Sequence, residues 1–269
     1  MKILINYANN KYKKTQKFNS FTGKYIGGFD KVYSFGPEDI DEDFQKSNFK
    51  ILNQERGNGL WLWKPYFILK VMKEAKEGDV IFYCDSGSFF LKNINPLVES
   101  IRESDKKIWV SNIPLLEVSF TKPSCFKLMD CDSDYYKYTN QIQATFFLAI
   151  NNAKTRSFVE KWLNLCSEYK LVSPENGDID SGNSTKRFIS HREDQSILSL
   201  LCKREGIQPC LDPTQRGKYP AWYRNKDYEF VVPVHTHKYS PMIFLHKTPN
   251  IDIVSWIKQY LVCLKRKHS

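Results

Sequence analysis

The sequence predicts an α/β fold in which helices flank a mostly parallel central sheet. In the first half of the chain, short apolar strands alternate with amphipathic helices, and this alternation is typical of parallel βαβ units. Hydrophobic residues make up 41% of the 269 residues, which is enough for a packed core. Because no internal repeat and no linker-like stretch divides the chain, we expect residues 1–269 to form a single domain.

The individual elements follow from local patterns. Pro65 suits the first turn of a helix, and Gly78 and Asp79 end that helix just before the apolar run Val80–Cys84. The polar segment 172–187 contains glycine and is expected to be a loop. In chain order, the patterns predict strands at 1–7, 30–37, 80–84, 106–113, 141–151 and 228–239, and helices at 12–28, 65–77, 96–103, 152–170, 190–207 and 251–264.

Charge and cysteine content indicate the kind of partner and the cellular compartment. The net charge of +10 favours an anionic partner such as a nucleotide, a nucleic acid or an acidic membrane face, although it also serves solubility. Seven scattered cysteines without a C-x-x-C pair indicate reduced thiols rather than a zinc site. With no signal peptide and no apolar run of membrane-spanning length, we expect a cytoplasmic protein that is at most peripheral to a membrane.

The stretch "GDVIFYCDSGSFF" carries the first candidate site. A buried strand ends at Asp85-Ser86-Gly87, and these residue types are also ordinary turn formers. The alternative is a ligand site, since open α/β sheets bind ligands at the carboxyl ends of parallel strands.

A second candidate site opens the helix "HREDQSILSLL". Ser190 and Glu193 have the spacing of a capping box, which makes Glu193 structural, whereas Asp194 and Gln195 have no such duty. Later in the chain, His235 and His237 fall on the same side of a predicted strand.

Taken together, "GLWLWKPYFILK", "GDVIFYCDSG", "HREDQSILSLL" and the late histidines resemble bacterial and viral GT-A-type glycosyltransferases over roughly residues 1–240. The resemblance implies a Rossmann-like GT-A fold. It also implies transfer of a hexose from a nucleotide-diphosphate donor to a carbohydrate acceptor in glycan or polysaccharide synthesis, with a UDP-sugar as the leading candidate for the donor. It also implies a divalent metal, Mn²⁺ or Mg²⁺, held by Asp85 with His235 and His237.

The metal motif departs from the family pattern. Gly87 stands where a second carboxylate is usual. Four explanations stay open: Asp79 or Asp194 replaces the missing acid, the metal is weakly held, lysines and arginines hold the diphosphate instead, or Gly87 lets the backbone approach the donor.

The resemblance also assigns roles to other residues. Asp194 either deprotonates the acceptor hydroxyl or orients the substrates, the alternative being that it stabilises its own helix dipole. Gln195 either binds a sugar hydroxyl or is solvated. Tyr7 contacts the nucleotide base, and Lys64 contacts phosphate unless it merely snorkels to the surface. Asp85, Ser86 and Gly87 complete the donor site.

Several residues keep a structural alternative. Trp61, Trp63 and Tyr66 either stack on a sugar or base or belong to the core. His191 and Arg192 flank the start of their helix, where phosphate would lie, and His246 and His268 are set aside as incidental.

Three rival functions and one partner stay open. The rivals are an inactive glycosyltransferase-like protein that binds a glycan or a partner, a nucleotide-sugar hydrolase or phosphorylase, and a nucleic-acid-binding protein. The last lacks an RNP-type aromatic box and a helix-turn-helix turn, and its lysines are dispersed. The helix at 251–264 with the basic tail 265–267 either packs on the core or docks on an anionic membrane.

Overall fold

The computed structural model describes residues 1–174, 187–217, 228–231 and 239–265, with side chains up to residue 262. The strands of this part of the chain are β1 (Lys2–Tyr7), β2 (Lys31–Phe35), β3 (Val80–Cys84), β4 (Ser88–Phe90), β5 (Ile108–Trp109), β6 (Asn112–Leu116), β7 (Asn140–Ile142), β8 (Phe146–Ile150) and β9 (Ile243–Leu245). The helices are α1 (Lys13–Thr22), α2 (Glu42–Ser47), α3 (Phe49–Leu52), α4 (Gly57–Leu60), α5 (Trp63–Glu74), α6 (Asn95–Arg102), α7 (Glu117–Phe120), α8 (Pro123–Leu128), α9 (Asp134–Lys137), α10 (Ala153–Ser167), α11 (Tyr169–Val172), α12 (Glu193–Arg204) and α13 (Ile253–Lys265).

The central sheet has five strands in the order β2-β1-β3-β8-β5. β1 pairs in parallel with both β2 and β3, while β8 runs antiparallel between β3 and β5. Four of the five strands therefore share one direction, which confirms the predicted mostly parallel α/β sheet. That residues 1–269 form one domain stays a prediction.

Two predicted strands differ from the observed ones. The segment 106–113 contributes only Ile108 and Trp109 to the central sheet, because the carbonyl groups of Val110 and Ser111 accept from Cys210 and Gln143 instead of from β8. The segment 141–151 divides into β7 and β8, and β7 pairs with β6 in a separate sheet. Of the strand predicted at 228–239, residues 232–238 lie outside the described residues, and 228–231 are not in a strand.

β3 shows why the apolar run before Asp85 is unbroken. Ile81 and Tyr83 point into the larger hydrophobic core on one face of the sheet, and Phe82 and Cys84 point into a second core on the other face. A strand that is buried on both faces has no solvent side on which polar residues would alternate.

The same pairing places the candidate site. β1 and β3 are parallel neighbours with Ile5 opposite Tyr83, so Tyr7 and Asp85 come to the same carboxyl edge of the sheet. Asp79 precedes β3 and lies at the opposite edge, where its carboxylate binds the amino group of Met1 at 2.8 Å.

The last described helix, α13, packs through one large residue. Trp256 is buried, with its ring 4.5 Å from that of His246, whereas Ile253, Val254 and Ile257 are exposed. Among the described residues, no helix is long and apolar enough to cross a membrane. Contact of this helix with a membrane stays a prediction.

Candidate active site

Two adjoining cavities open at the carboxyl edge of the sheet. The aromatic cavity, of about 560 Å³, is lined by Tyr7, Ala8, Asn9, Lys11, Tyr12, Glu55, Gly57, Asn58, Trp61, Trp63, Tyr83, Asp85, Ser86, Gly87, Thr145, Leu245 and Lys247. The charged cavity, of about 340 Å³, is lined by Arg56, Trp61, Lys64, Asp85, Ala144, Thr145, Ser190, Arg192, Glu193, Asp194 and Gln195. The two cavities share Trp61, Asp85 and Thr145, so Asp85 lies where they meet.

Tyr7 and Trp63 form one wall of the aromatic cavity. Their rings stack at a centroid distance of 3.8 Å and an angle of 16°. The Asn58 side-chain amide donates to the Tyr7 hydroxyl, and burial raises the pKa of that hydroxyl, so Tyr7 stays neutral. Both rings also belong to the larger core, as the structural alternative expects. Contact of these aromatics with a sugar or a base stays a prediction. Tyr66 lines neither cavity and donates to Asp41.

The segment Gly57–Trp61 runs along both cavities in an unusual conformation. All five of its residues have φ between 51° and 98°. Non-glycine residues in this left-handed region each cost about 1–3 kcal/mol, and such strain concentrates at ligand sites. Of this segment only Trp61 was selected from the sequence; the paired glycines of "RGNGLW" are the one signal that could have indicated the rest.

Asp85 is a partly exposed acid at the junction of the two cavities. One third of its side chain is exposed, and its Oδ1 accepts from the Tyr83 hydroxyl at 2.6 Å. Its backbone N–H donates to Thr145 at 3.0 Å, which fixes the strand end against the break between β7 and β8. The neighbouring Ser86 is buried and donates to the Tyr7 carbonyl at 2.7 Å, so its hydroxyl locks β1 to β3.

Gly87 is explained by a close approach of backbone. Its carbonyl accepts from the N–H groups of His246 and Lys247, both at 2.9 Å. A Cβ atom at position 87 would lie 3.2 Å from the Cα atom of Lys247. The space of a side chain at this position is therefore taken by the segment that follows β9.

Lys64 joins the two candidate acids. Its ammonium lies 2.8 Å from Asp194 Oδ2 and 3.7 Å from Asp85 Oδ1. Only 3% of the Lys64 side chain and 5% of the Asp194 side chain are exposed. The alternative that Lys64 snorkels to the surface is wrong, because its ammonium points inward to these carboxylates.

Burial and neighbouring charges shift the pKa values of Lys64 and Asp194. Burial opposes the charged form of Lys64, but the Asp194 and Asp85 carboxylates outweigh it and raise the pKa of Lys64. Burial raises the pKa of Asp194 to about 7, against the opposing effect of the Lys64 ammonium. A carboxyl group with a pKa near neutrality is suited to exchanging a proton with a substrate.

Gln195 is held by the protein rather than solvated. Its Nε2 donates to Gln141 at 2.7 Å, and its Oε1 accepts from the Ala144 N–H at 3.3 Å. Gln141 in turn donates to the buried carboxylate of Glu117. This chain fixes the Gln195 amide beside Asp194.

The predicted capping box of Ser190 and Glu193 is wrong. Helix α12 begins at Glu193, with Arg192 at its N-cap, whereas the box would place the N-cap at Ser190. The Glu193 carboxylate accepts from Arg56 Nε at 2.5 Å instead. A partner 137 residues away in the chain has taken the side chain that the local pattern assigned to the helix end.

Solved structures with this architecture are known. One is an active-site mutant of LgtC, which is 15% identical and has a TM-score of 0.50 over 99% of this chain and 96% of that chain. Another is mouse xyloside xylosyltransferase 1 in its apo form, 9% identical with a TM-score of 0.49 over 94% of this chain and 100% of that chain. No protein-family model and no curated protein matches the sequence. The fold is that of a GT-A glycosyltransferase.

The described residues do not by themselves provide the metal site that a GT-A fold suggests. In this part of the chain, no three histidine, cysteine or acidic side chains are grouped to hold an ion. Asp79 is at the wrong edge of the sheet and Asp194 is paired with Lys64, so neither supplies the second carboxylate. His235 and His237 lie outside the described residues, and their metal-binding role stays a prediction.

Two further residues lie beside Gly87, and neither was selected as a site residue from the sequence. His246 is buried against Trp256 beside Gly87 but lines neither cavity, and burial lowers its pKa to about 4. Lys247 lines the aromatic cavity, and the sequence analysis did not select it. Its lysine type and its turn-like neighbours are too common to have indicated a site.

Proposed function

We propose that this protein is a glycosyltransferase that moves a sugar from a UDP-sugar or another nucleotide-diphosphate donor to a carbohydrate acceptor. A hexose is the leading candidate for the transferred sugar. One observation carries the proposal: Asp85, Lys64 and Asp194 form a cluster at the junction of an aromatic cavity and a charged cavity. A transferase must hold two substrates with their reacting atoms in contact, and two cavities that meet at charged groups suit that task.

The donor nucleotide is assigned to the aromatic cavity. Tyr7 and Trp63 supply the apolar wall for a base, and Asn58 supplies an amide at the same place. The diphosphate and the sugar then extend past Asp85 and Gly87 toward the charged cavity. The GT-A fold is consistent with this direction, because ligands of open α/β sheets lie outside the carboxyl ends of the strands.

The acceptor is assigned to the charged cavity. During transfer the bond between the anomeric carbon and the phosphate oxygen breaks, and a bond from the acceptor oxygen to that carbon forms. The acceptor proton passes to Asp194 or to the departing phosphate, and Gln195 orients a sugar hydroxyl. Lys64 keeps both acids in place and balances their charge.

Mn²⁺ or Mg²⁺ remains part of the sequence-based prediction, with Asp85 as its first ligand. Because the described residues contain no group of three possible metal ligands at this point, no residue role below depends on a metal ion. Glycan or polysaccharide synthesis as the pathway and the cytoplasm as the location rest on the sequence alone.

Product analysis with purified protein tests the proposal. A panel of nucleotide sugars is incubated with simple saccharides in Mn²⁺, Mg²⁺ or EDTA, and release of nucleoside diphosphate is measured together with the mass of the product. We expect Asp85→Ala to abolish transfer while the protein stays folded, because the side chain is partly exposed at the junction. The matched control is Asp43→Ala, which removes an exposed acid on α2.

The outcomes separate the candidate functions. Wild-type turnover in Asp85→Ala would remove this residue from the site. Donor binding without any turnover would favour an inactive GT-A protein that binds a glycan, and release of free sugar would favour a hydrolase. Binding of RNA or DNA with a steep salt dependence, without donor binding, would favour a nucleic-acid-binding protein.

A further inference from the structure

Lys247 occupies the position next to the candidate acid motif. It follows β9, which pairs with β4 so that Leu245 is opposite Ser88. The backbone N–H groups of His246 and Lys247 both bind the carbonyl of Gly87. Lys247 has a φ of +60°, a left-handed conformation that a non-glycine residue adopts only when its surroundings hold it there.

Lys247 belongs to the wall of the aromatic cavity, and none of the described carboxylates is paired with its ammonium. It lines this cavity together with Asp85, and no described residue forms an ion pair with its Nζ. Lys247 is exposed, and the guanidinium groups of Arg216 and Arg192 act against its charged form, while Asp85 and Asp212 act in the opposite direction. Cations that are crowded in this way favour an anion as their ligand.

The Lys247 backbone lies against position 87, where the expected motif has its second acid. In the expected motif, a carboxylate at position 87 would help hold a metal ion against the donor diphosphate. Here the Lys247 backbone lies close to where the first side-chain atom of that acid would be. The Lys247 side chain therefore starts from backbone that lies against position 87, where the motif has a carboxylate.

We propose that Lys247 binds the diphosphate of the donor and does so without a bridging metal ion. This inference rests on the proposed glycosyltransferase function. When the bond to the anomeric carbon breaks, the electron pair stays on the phosphate oxygen, and the Lys247 ammonium donates a hydrogen bond to the charge that develops there. The lysine ammonium is part of the protein, so unlike a metal ion it does not have to bind from solution before the reaction.

Calorimetric titration tests the inference. Wild-type protein in EDTA is titrated with UDP, GDP, CDP and ADP, and with the nucleoside of each. We expect a diphosphate to bind in EDTA, and we expect Lys247→Met to weaken that binding about 10- to 100-fold. The affinity of Lys247→Met for the matching nucleoside should stay within about twofold of the wild type, because the aromatic wall for the base is unchanged. Lys247→Arg should keep most of the diphosphate affinity, since it keeps the positive charge.

Two controls protect the result. Lys73→Met removes an exposed lysine of α5 outside both cavities and leaves every affinity unchanged. Lys247→Asn removes the same charge with a residue type that tolerates the left-handed conformation, so it serves if the methionine variant does not fold.

Either of two results would overturn the inference. One is a diphosphate affinity in Lys247→Met and Lys247→Asn equal to that of the wild type. The other is wild-type affinity that vanishes in EDTA and returns with Mn²⁺. If the wild type binds no nucleoside diphosphate in either buffer, it is the proposed function itself that has failed.

Discussion

Replacing Lys64 by Met removes the cation from the centre of the candidate site and tests whether the buried pair has been correctly described. Methionine fills most of the lysine volume, so the packing of α5 changes little. The Asp194 carboxylate loses the ammonium at 2.8 Å and keeps its burial. A buried charge that loses its partner costs about 3–5 kcal/mol of folding free energy when it remains ionised.

The cost depends on pH in a direction that the structure fixes. In the wild type, burial raises the pKa of Asp194 to about 7, so folding stability falls as the pH rises from about 4 toward 7 and is then constant for this group. Without Lys64 this pKa rises further, and the loss continues above pH 7 at about 1.4 kcal/mol per pH unit. The pKa of Lys64 is raised from 10.5, so its own charge is constant over pH 6–9.

Guanidinium chloride unfolding at pH 6, 7.5 and 9, followed by the fluorescence of the six tryptophans, measures this difference. The matched control is Lys70→Met. Lys70 lies on the same helix as Lys64 and forms a partly exposed pair with Asp41, so we expect its loss to have a small, pH-independent effect. The double variant Lys64→Met with Asp194→Leu should recover most of the stability. A Lys64→Met penalty that does not grow between pH 7.5 and 9, or that equals the penalty of the control, would refute the description of the pair.

Two further predictions concern the acids of the site. Asp194→Asn should lower kcat about 10²- to 10⁴-fold and leave the donor Kd within a few-fold, measured by steady-state kinetics and calorimetry; weaker binding with unchanged turnover contradicts a role at the reacting centre. Gly87→Asp restores the usual second acid of the motif but should destabilise the protein by about 1–3 kcal/mol and create no Mn²⁺ site, because a Cβ atom there lies 3.2 Å from Lys247 Cα. Tight Mn²⁺ binding by that variant in calorimetry would show that the backbone gives way.

The sequence predicted those features that depend on short-range pattern. β3 was predicted from its apolar run, and the register of β1 and β3 then brings Tyr7 to the same edge as Asp85. Asp194 was selected because it had no capping role, and it does line the charged cavity, where it binds the same Lys64 ammonium that lies near Asp85. Lys64 was selected as the one charge in an aromatic run, and its burial confirms that the position is unusual.

Features that depend on partners distant in the chain could not be predicted in this way. The local spacing of Ser190 and Glu193 matched a capping box, but Arg56 binds the glutamate instead. The left-handed segment Gly57–Trp61 is stabilised by its surroundings, and no propensity of those five residues specifies it. The break between β7 and β8 likewise follows from hydrogen bonds to Ser111 and Asp85 rather than from a turn sequence.

Two lysines at this site show how environment decides the role of one residue type. Lys64 is enclosed and paired with Asp194, so releasing it to bind a phosphate would leave a buried carboxylate without its cation. Lys247 is at the cavity wall, and no described carboxylate is paired with it, so binding an anion offsets repulsion from Arg216 and Arg192 rather than breaking a pair. The sequence analysis assigned the phosphate contact to Lys64. We therefore propose Lys247 for the phosphate contact, with Lys64 holding the two acids in position.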